Sequence, residues 1–578
     1  MTNKTLDNKG DTSLVSTLHR GIKQCNKVCG PALAKKQALL GEYANGWYTD
    51  APTSRRPMNM VARAVKLLLP LLASKNPNAM TRARVIELAP AAEVMRLTLN
   101  HLSSKIRLGA TMREVVLNAL FYMGIIKKGI CAGGPRIKDA YGAYHDAGQL
   151  FCDSVHPEDY KFDVSARKKE ELDWEMNWFY VPAEYILDSG LYDNYDKLNI
   201  AYGKDIKNSA EEIAKGNIKH FDSLKPYVKL GEVYIPSENV LITIPADGEG
   251  TEPIRTVDYT GPVGGPFDLL SFDIFPESIV PIAPLFVNLD LHYFINIMTR
   301  KMARQANREK KILAYQGNAA GDAKRVTDAV DGGSVRVDDV NAMKEIEYGG
   351  TADASYKWVE WLNAKWSEQL GNANLIGGLK ADAGTLGQEQ MMQANASASI
   401  DDMVGQVHTL LKGIFETFAF HIFTDPFLDI TVSKRKAGLY NIPVHLTADT
   451  REGDFWSYNF DVEPYSMQRM NPQMRMRRIM EIVQGIIVPT LPLAMQQGVQ
   501  LNIPALVKSI SRDMDLTDSE IEEFYNVATK VQSSLGPYQP SKGVSDSMGA
   551  SGASKDLNSI QQQNRAGGKP SPPNTNNV

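Results

Sequence analysis

Few side chains in this sequence are spaced for chemistry. Two pairs of adjacent carboxylates, Asp338-Asp339 and Asp401-Asp402, carry the charge to hold a divalent cation. Adjacent residues on a helix point apart, however, so a solvated or inter-subunit role suits them better. Cys25 and Cys29, with His19 upstream, supply part of a zinc ligand set, but no second ligand pair lies nearby. The four-residue spacing instead places both thiols on one helix face. The nine histidines are scattered, and His408 and His421 fall in or beside an apolar seam where packing is the expected role. No Gly-x-x-x-x-Gly-Lys-Ser/Thr loop offers a phosphate cradle, and neither His-Glu-x-x-His nor Gly-x-Ser-x-Gly occurs. We therefore expect no enzyme activity, no cofactor and no metal.

What remains is charge placed for phosphate or for partners. Arg300, Lys301, Arg304, Arg308, Lys310 and Lys311 crowd the far end of a helix pattern running from about Val287 to Ile312. Positive charge suits a helix C-terminus and can also face phosphate. A solvated or inter-subunit salt-bridging face is the alternative. Leu291, Phe294, Ile295, Met298 and Met302 recur at three- and four-residue spacing and predict one buried stripe on the same helix.

A compact insert follows, from Leu313 to Gly350. It reads as a short helix near Asp322 to Val330, a turn at Asp331-Gly332-Gly333, and strand-like stretches at Ser334 to Val337 and Lys344 to Tyr348. So small a piece has little core and is expected to complete itself against a neighbour. A second helix, about Asp353 to Leu370, carries Trp358, Trp361 and Trp366, whose spread around the circumference implies contact on more than one side. Gly371 stops it. A Gly-rich loop, Asn372 to Gly384, leads to Thr385 and Gln388, a capping box opening a helix that runs to Phe423 without proline. Unbroken, that helix would be roughly 57 Å long. Val407, Leu410, Leu411, Ile414, Phe418 and Ile422 form its apolar seam, and Gly387, Gly405 and Gly413 are candidate kinks.

This order of parts resembles the stem, clip, stem, tunnel loop and tunnel helix of the portal protein of tailed double-stranded DNA bacteriophages. Local stretches carry the resemblance: Gln305-Ala306-Asn307 leading to Tyr315, Val326-Thr327-Asp328-Ala329, Gln369-Leu370-Gly371-Asn372-Ala373-Asn374, and Thr385-Leu386-Gly387-Gln388-Glu389. Gly231-Glu232-Val233-Tyr234-Ile235-Pro236 and Gly265-Pro266-Phe267 resemble the wing of portals from short-tailed phages. The resemblance implies a mixed α+β, mainly helical chain. Its parts would be a wing (1–285), a first stem helix (286–312), a clip (313–350), a second stem helix (351–371), a tunnel loop (372–384) and a long tunnel helix (385–425). Wing strands (426–466), crown helices (467–533) and a disordered tail (534–578) would follow.

It further implies a homo-oligomeric ring of about twelve copies at one capsid vertex of the virion, made in the bacterial cytoplasm. Double-stranded DNA would pass through it without sequence preference, and its partners would be the terminase large subunit, major capsid and scaffolding proteins, and a tail adaptor. Asn374, Leu375, Ile376, Leu379, Lys380 and Asp382 would project into the channel. Arg300, Arg304 and Arg308 would line the stem or bridge subunits. Lys324, Arg325, Arg336, Glu345 and Glu347 would lie on the clip, facing terminase or adaptor. Another oligomeric phage component, such as a tail hub or adaptor, is the main competitor.

Composition agrees with this frame. A chain of 578 residues exceeds what one core usually serves. Its net charge of -4 excludes a globally basic nucleic-acid binder, leaving local patches to touch DNA. Four irregularly placed cysteines make no disulfide scaffold, Met1 to Thr12 is too polar for a signal peptide, and no run is apolar enough to span a bilayer. Helices are expected at Leu14 to Tyr43, Met58 to Leu72, Pro90 to Ile106 and Met112 to Ile126, strand around Ala143 to Cys152, and a helix carrying Trp174 and Trp178. Val228 to Ile244 reads as strand closed by the Asp247 to Gly250 turn, and strands at Leu428 to Val432, Val444 to Ala448 and Phe455 to Val462 follow the long helix. Asn471-Pro472 opens a Met- and Arg-rich helix, and Thr517 with Glu520 caps another.

Overall fold

A computed structural model describes residues 14–44, 56–131, 136–138, 144–146, 148–193, 195, 198–207, 218–246, 252–371, 386–425, 430–436, 440–446 and 451–463. The chain divides into two compact units, residues 1–471 and 472–578, and all described residues lie in the first. The tunnel-loop stretch 372–384, the Asp247 to Gly250 turn, Thr385 of the capping box, the crown region 467–533 and the tail 534–578 lie outside the described residues.

The fold is mixed, with helical residues outnumbering strand residues among those described. Four helices open it: α1 (Leu14–Ala44), α2 (Met60–Leu72), α3 (Ala89–Lys105) and α4 (Leu108–Phe121), with β1 (Ala79–Ala83) between α2 and α3. Asn59 caps α2 by accepting the Ala62 amide at 2.9 Å. The expected fourth helix ends early. Ile125 and Ile126 belong to β2 (Gly124–Cys131), because Gly124 allows the chain to turn tightly beneath Val115 of α4, where a Cβ would strike the Val115 carbonyl.

Strands β3 (Arg136–Lys138), β4 (Tyr144–Asp146), β5 (Gln149–Val155), β6 (Tyr160–Phe162) and β7 (Glu175–Pro182) come next, then α5 (Ala183–Ser189), β8 (Ala201–Ile206), β9 (Lys219–Ile235), β10 (Val240–Pro245), β11 (Arg255–Asp258) and β12 (Phe267–Leu270). Strands β11, β10, β9, β7 and β6 form one antiparallel sheet, with β8 also paired to β9, and β12, β2 and β5 form a second. The expected Trp174 and Trp178 helix is instead the approach to β7 and the strand itself, in register with β9 through Met176 and Val233. Its Trp178-Phe179-Tyr180-Val181 run suits a strand, and burial of its first three residues in succession hides the alternation that would have revealed it. The β9–β10 hairpin turns at Pro236 to Asn239, where Asn239 takes a positive φ of 55°.

After α6 (Pro284–Val287), which Pro284 opens at its first turn, come α7 (Leu289–Ala306), β13 (Lys310–Tyr315), α8 (Ala320–Thr327), β14 (Met343–Tyr348), α9 (Asp353–Gln369) and α10 (Leu386–Thr424). Strands β15 (Ile430–Lys436) and β16 (Tyr440–Leu446) pair with each other, while β17 (Tyr458–Val462) returns to pair with β1. Helix α10 runs unbroken through Gly387, Gly405 and Gly413. Its expected seam is buried, Val407, Leu410, Leu411, Ile414, Phe418 and Ile422 joining one core with side chains of α2, α3 and α4. The seam is therefore covered within the chain and needs no neighbour.

Candidate assembly interface

Two buried polar clusters set the long helices on the body. Lys128 of β2 is almost fully buried; its Nζ pairs with Asp268 of β12 and donates to the Gly413 carbonyl of α10 at 3.0 Å. Asp268 also meets Lys169 at 3.3 Å, and Tyr160 donates to Glu175 at 2.8 Å nearby. Burial pushes the Glu175 carboxyl up to about 7 despite the opposing charge of Lys169. The second cluster anchors α7. Arg56 grips both Glu42 oxygens at 2.6 Å, and His292 Nε2 lies 3.1 Å from the same carboxylate. A carboxylate only accepts, so Nε2 carries the proton. One turn on, Asn296 Nδ2 donates to the Met58 carbonyl at 2.9 Å while its Oδ1 accepts the Met58 amide at 3.0 Å.

Above this anchor α7 and α9 run antiparallel, with His292 beside Trp366 at one end and the Gly350 amide donating to the Gln305 carbonyl at the other. Asp290 in the first turn and Arg304 in the last suit the dipole of α7. The buried stripe of α7 is Leu289, His292, Ile295 and Asn296, with Leu291, Met298 and Met302 half-buried. Phe294 departs from expectation: it is 56% exposed and falls on the opposite face with Asp290, Ile297, Lys301 and Arg304. On α9, Leu362 and Trp366 are buried, whereas Trp358 and Trp361, each 47% exposed, stack at 4.8 Å on the outer side.

Helix α7 also ends earlier than expected, at Ala306, so Lys310 and Lys311 belong to a strand. β13 pairs with β14, Ile312 opposite Ile346, and Lys311 meets Glu347 at 2.8 Å across the ladder. This cross-strand pairing, rather than a ladder at Ser334 to Val337, makes the insert's sheet, and residues 334–337 carry no strand. The inner face of the insert is organised by Asp322, a buried carboxylate that accepts the Asp338 amide at 2.9 Å and pairs with Arg325 at 3.2 Å. Nothing in the sequence singled it out. The buried apolar side chains of the insert are Ala319, Ala323 and Ala342, while Ile312, Tyr315, Ile346 and Tyr348 are exposed. No residue from Ile297 to Asn318, or from Met343 to Trp361, is buried.

Of the sequence-predicted residues, Arg304 and Arg308 are exposed, and Arg304 Nε donates to the Arg300 carbonyl at 3.3 Å. Arg300 is half-buried one turn before Arg304, and Arg308 lies just beyond the end of α7. Lys324, Arg325, Arg336, Glu345 and Glu347 are all exposed on the insert, with Arg325 Nη1 donating to the Arg336 carbonyl at 3.4 Å. Asn374, Leu375, Ile376, Leu379, Lys380 and Asp382 lie outside the described residues. Cys25 and Cys29 sit on α1 with their sulfurs 3.8 Å apart, and no group of His, Cys, Asp or Glu among the described residues is arranged to hold a metal. Nor is any described helix long and apolar enough to cross a membrane. No family model matches the sequence, and no curated protein matches it.

Proposed function

We propose that this chain is a phage portal protein, a structural rather than catalytic subunit that assembles into a ring-shaped channel at one capsid vertex of the virion. The observation that carries the reading is the projection formed by α7, the β13–β14 insert and α9. Its outer half buries three alanines and Asp322 and leaves aromatic and aliphatic side chains in water. Such a piece gains its missing burial from neighbouring copies, and a closed ring satisfies every copy without leaving an end. The order of elements described between residues 287 and 425 adds support, because it resembles the stem, clip and tunnel-helix succession of portals.

In this role the ring conducts double-stranded DNA, packaged by the terminase large subunit, holds it, and releases it through a tail adaptor. Major capsid and scaffolding proteins surround it. Exposed Lys324, Arg325, Arg336, Glu345 and Glu347 are the contacts offered to terminase or adaptor. Mass measurement of the purified protein, with images of the particles, tests the reading. A closed ring of about a dozen copies with an axial hole is expected; a monomer under all salt conditions, or an open filament, would overturn it.

A further inference from the structure

Independently of the ring reading, we propose that a cavity between α1 and the sheet face of β7, β8 and β9 binds a nucleoside phosphate, its phosphate between Lys23 and Lys229 and its base along Trp178 and Tyr180. Side-chain alternation builds the cavity. Met176, Trp178 and Tyr180 of β7 stand opposite Val233, Gly231 and Lys229 of β9, so all six positions share one face of the sheet. The first part of α1 covers the first of these pairs, where Val15, Leu18 and Ile22 join one core with Met176 and Val233. Further along the strands α1 presents His19, Lys23 and Asn26 instead, and a cavity of about 470 Å³ opens between them and the sheet. That is the size of a small-ligand site.

The acidic group in the lining already has a partner. His220 of β9 leans over Gly203 of β8, where an added Cβ would strike the imidazole, and its Nδ1 lies 2.9 Å from the Asp205 carboxylate. The cations are not so matched. Neither Lys23 nor Lys229 forms an ion pair among the described residues, and Asp159, whose charge Lys229 favours, makes none with it. His19 adds no charge, because burial and then the neighbouring Lys23 push its imidazole below the usual range. Two lysines lining one cavity suit a phosphate dianion better than a single carboxylate. Lys229 Nζ lies 5.8 Å from the ring centre of Trp178 and 5.7 Å from that of Tyr180, which sets positive charge beside aromatic walls. A ligand with an anionic end and a flat apolar body meets both features, since every base has a face that an aromatic side chain can stack on.

Calorimetric titration of the full chain with AMP, adenosine and inorganic phosphate tests the site. AMP is expected to bind, with adenosine and phosphate each weaker by about tenfold or more, since each keeps only part of the contacts. Lys23→Glu and Lys229→Gln should each weaken AMP by about tenfold or more. Trp178→Leu should weaken AMP and leave inorganic phosphate unchanged. Lys23 is exposed, so its variant reads binding with little effect on folding, which an unchanged melting temperature checks. No binding of AMP, or AMP binding that survives both lysine substitutions, would overturn the inference. Phosphate binding as tightly as AMP would overturn the assignment of a nucleoside. A 5′-phosphorylated octanucleotide that displaces AMP would make the natural ligand a strand end, and one that leaves AMP bound would make it a free nucleotide; both outcomes support the site.

Discussion

Two buried carboxylates respond to acid in opposite directions. Burial alone would raise Glu42, but the hydrogen bonds from Arg56 and His292 outweigh it and hold the carboxyl down at about 2. Its folded value lies below the ordinary 4.5, so the stability it contributes is present above about 4.5 and is lost as pH falls toward about 2. Glu42→Gln should cost about 2–4 kcal/mol at neutral pH and flatten the acid limb of a denaturant-unfolding series. A variant as stable as the parent at pH 7 would show that this ion pair does not anchor α7. Glu175 runs the other way. Its folded value, about 7, lies above 4.5, so ionisation opposes folding and stability falls as pH rises from about 4.5 to about 7. Glu175→Gln should remove that fall and leave the protein more stable above pH 7, by about 2–4 kcal/mol; the same unfolding series reads both variants.

At the scale of elements, the insert leaves the helix pair through a joint that only glycine allows. Gly349 has a φ of +90°, and a Cβ there would run into the Arg308 carbonyl. Gly349→Ala should weaken the junction by about 1–2 kcal/mol for the backbone alone. Amide exchange should quicken in β13 and β14 while amides of β2 and α4 keep their protection; uniform loss of protection would mean that the insert and the body unfold together. The elements that the sequence disclosed are those whose neighbours lie on one side. The α10 seam shows its helical period because one face meets the core and the other does not. Trp174 to Val181 concealed a strand because neighbours on both faces erase alternation, and β13 concealed itself because its lysines continue the cationic pattern of α7. Phe294 was misassigned for a different reason: three- and four-residue spacing records that a side chain is apolar, not whose surface covers it. Asp322, His292 and Asn296 gave no signal, since a polar residue that ties distant segments together has no period to read.

At the scale of the whole molecule, the described residues set a large shared core in the body against a projection whose outer half has little core of its own. The body buries long apolar runs on α2, α3, α4 and α10 around one core. The projection exposes trypsin sites at Lys310, Lys311, Lys324, Arg325, Arg336 and Lys344 on a hairpin with three buried alanines beneath it. Local opening is easiest where buried apolar contacts are few, so the insert should open on its own in a dilute protomer. Association stabilises whichever state it binds, in proportion to how far the concentration exceeds the dissociation constant. Raising the protein concentration through the assembly range should therefore slow cleavage at these six sites by tenfold or more. Cleavage within α2, α3 and β2 should stay slow on both sides of the transition, because their side chains are buried in one core within the chain. Timed digestion with peptide mapping at two concentrations measures both rates. Equal cutting of the insert above and below the transition, in protein that mass measurement shows to be assembled, would mean that the copies meet elsewhere and that the exposed face of this projection serves a partner other than itself.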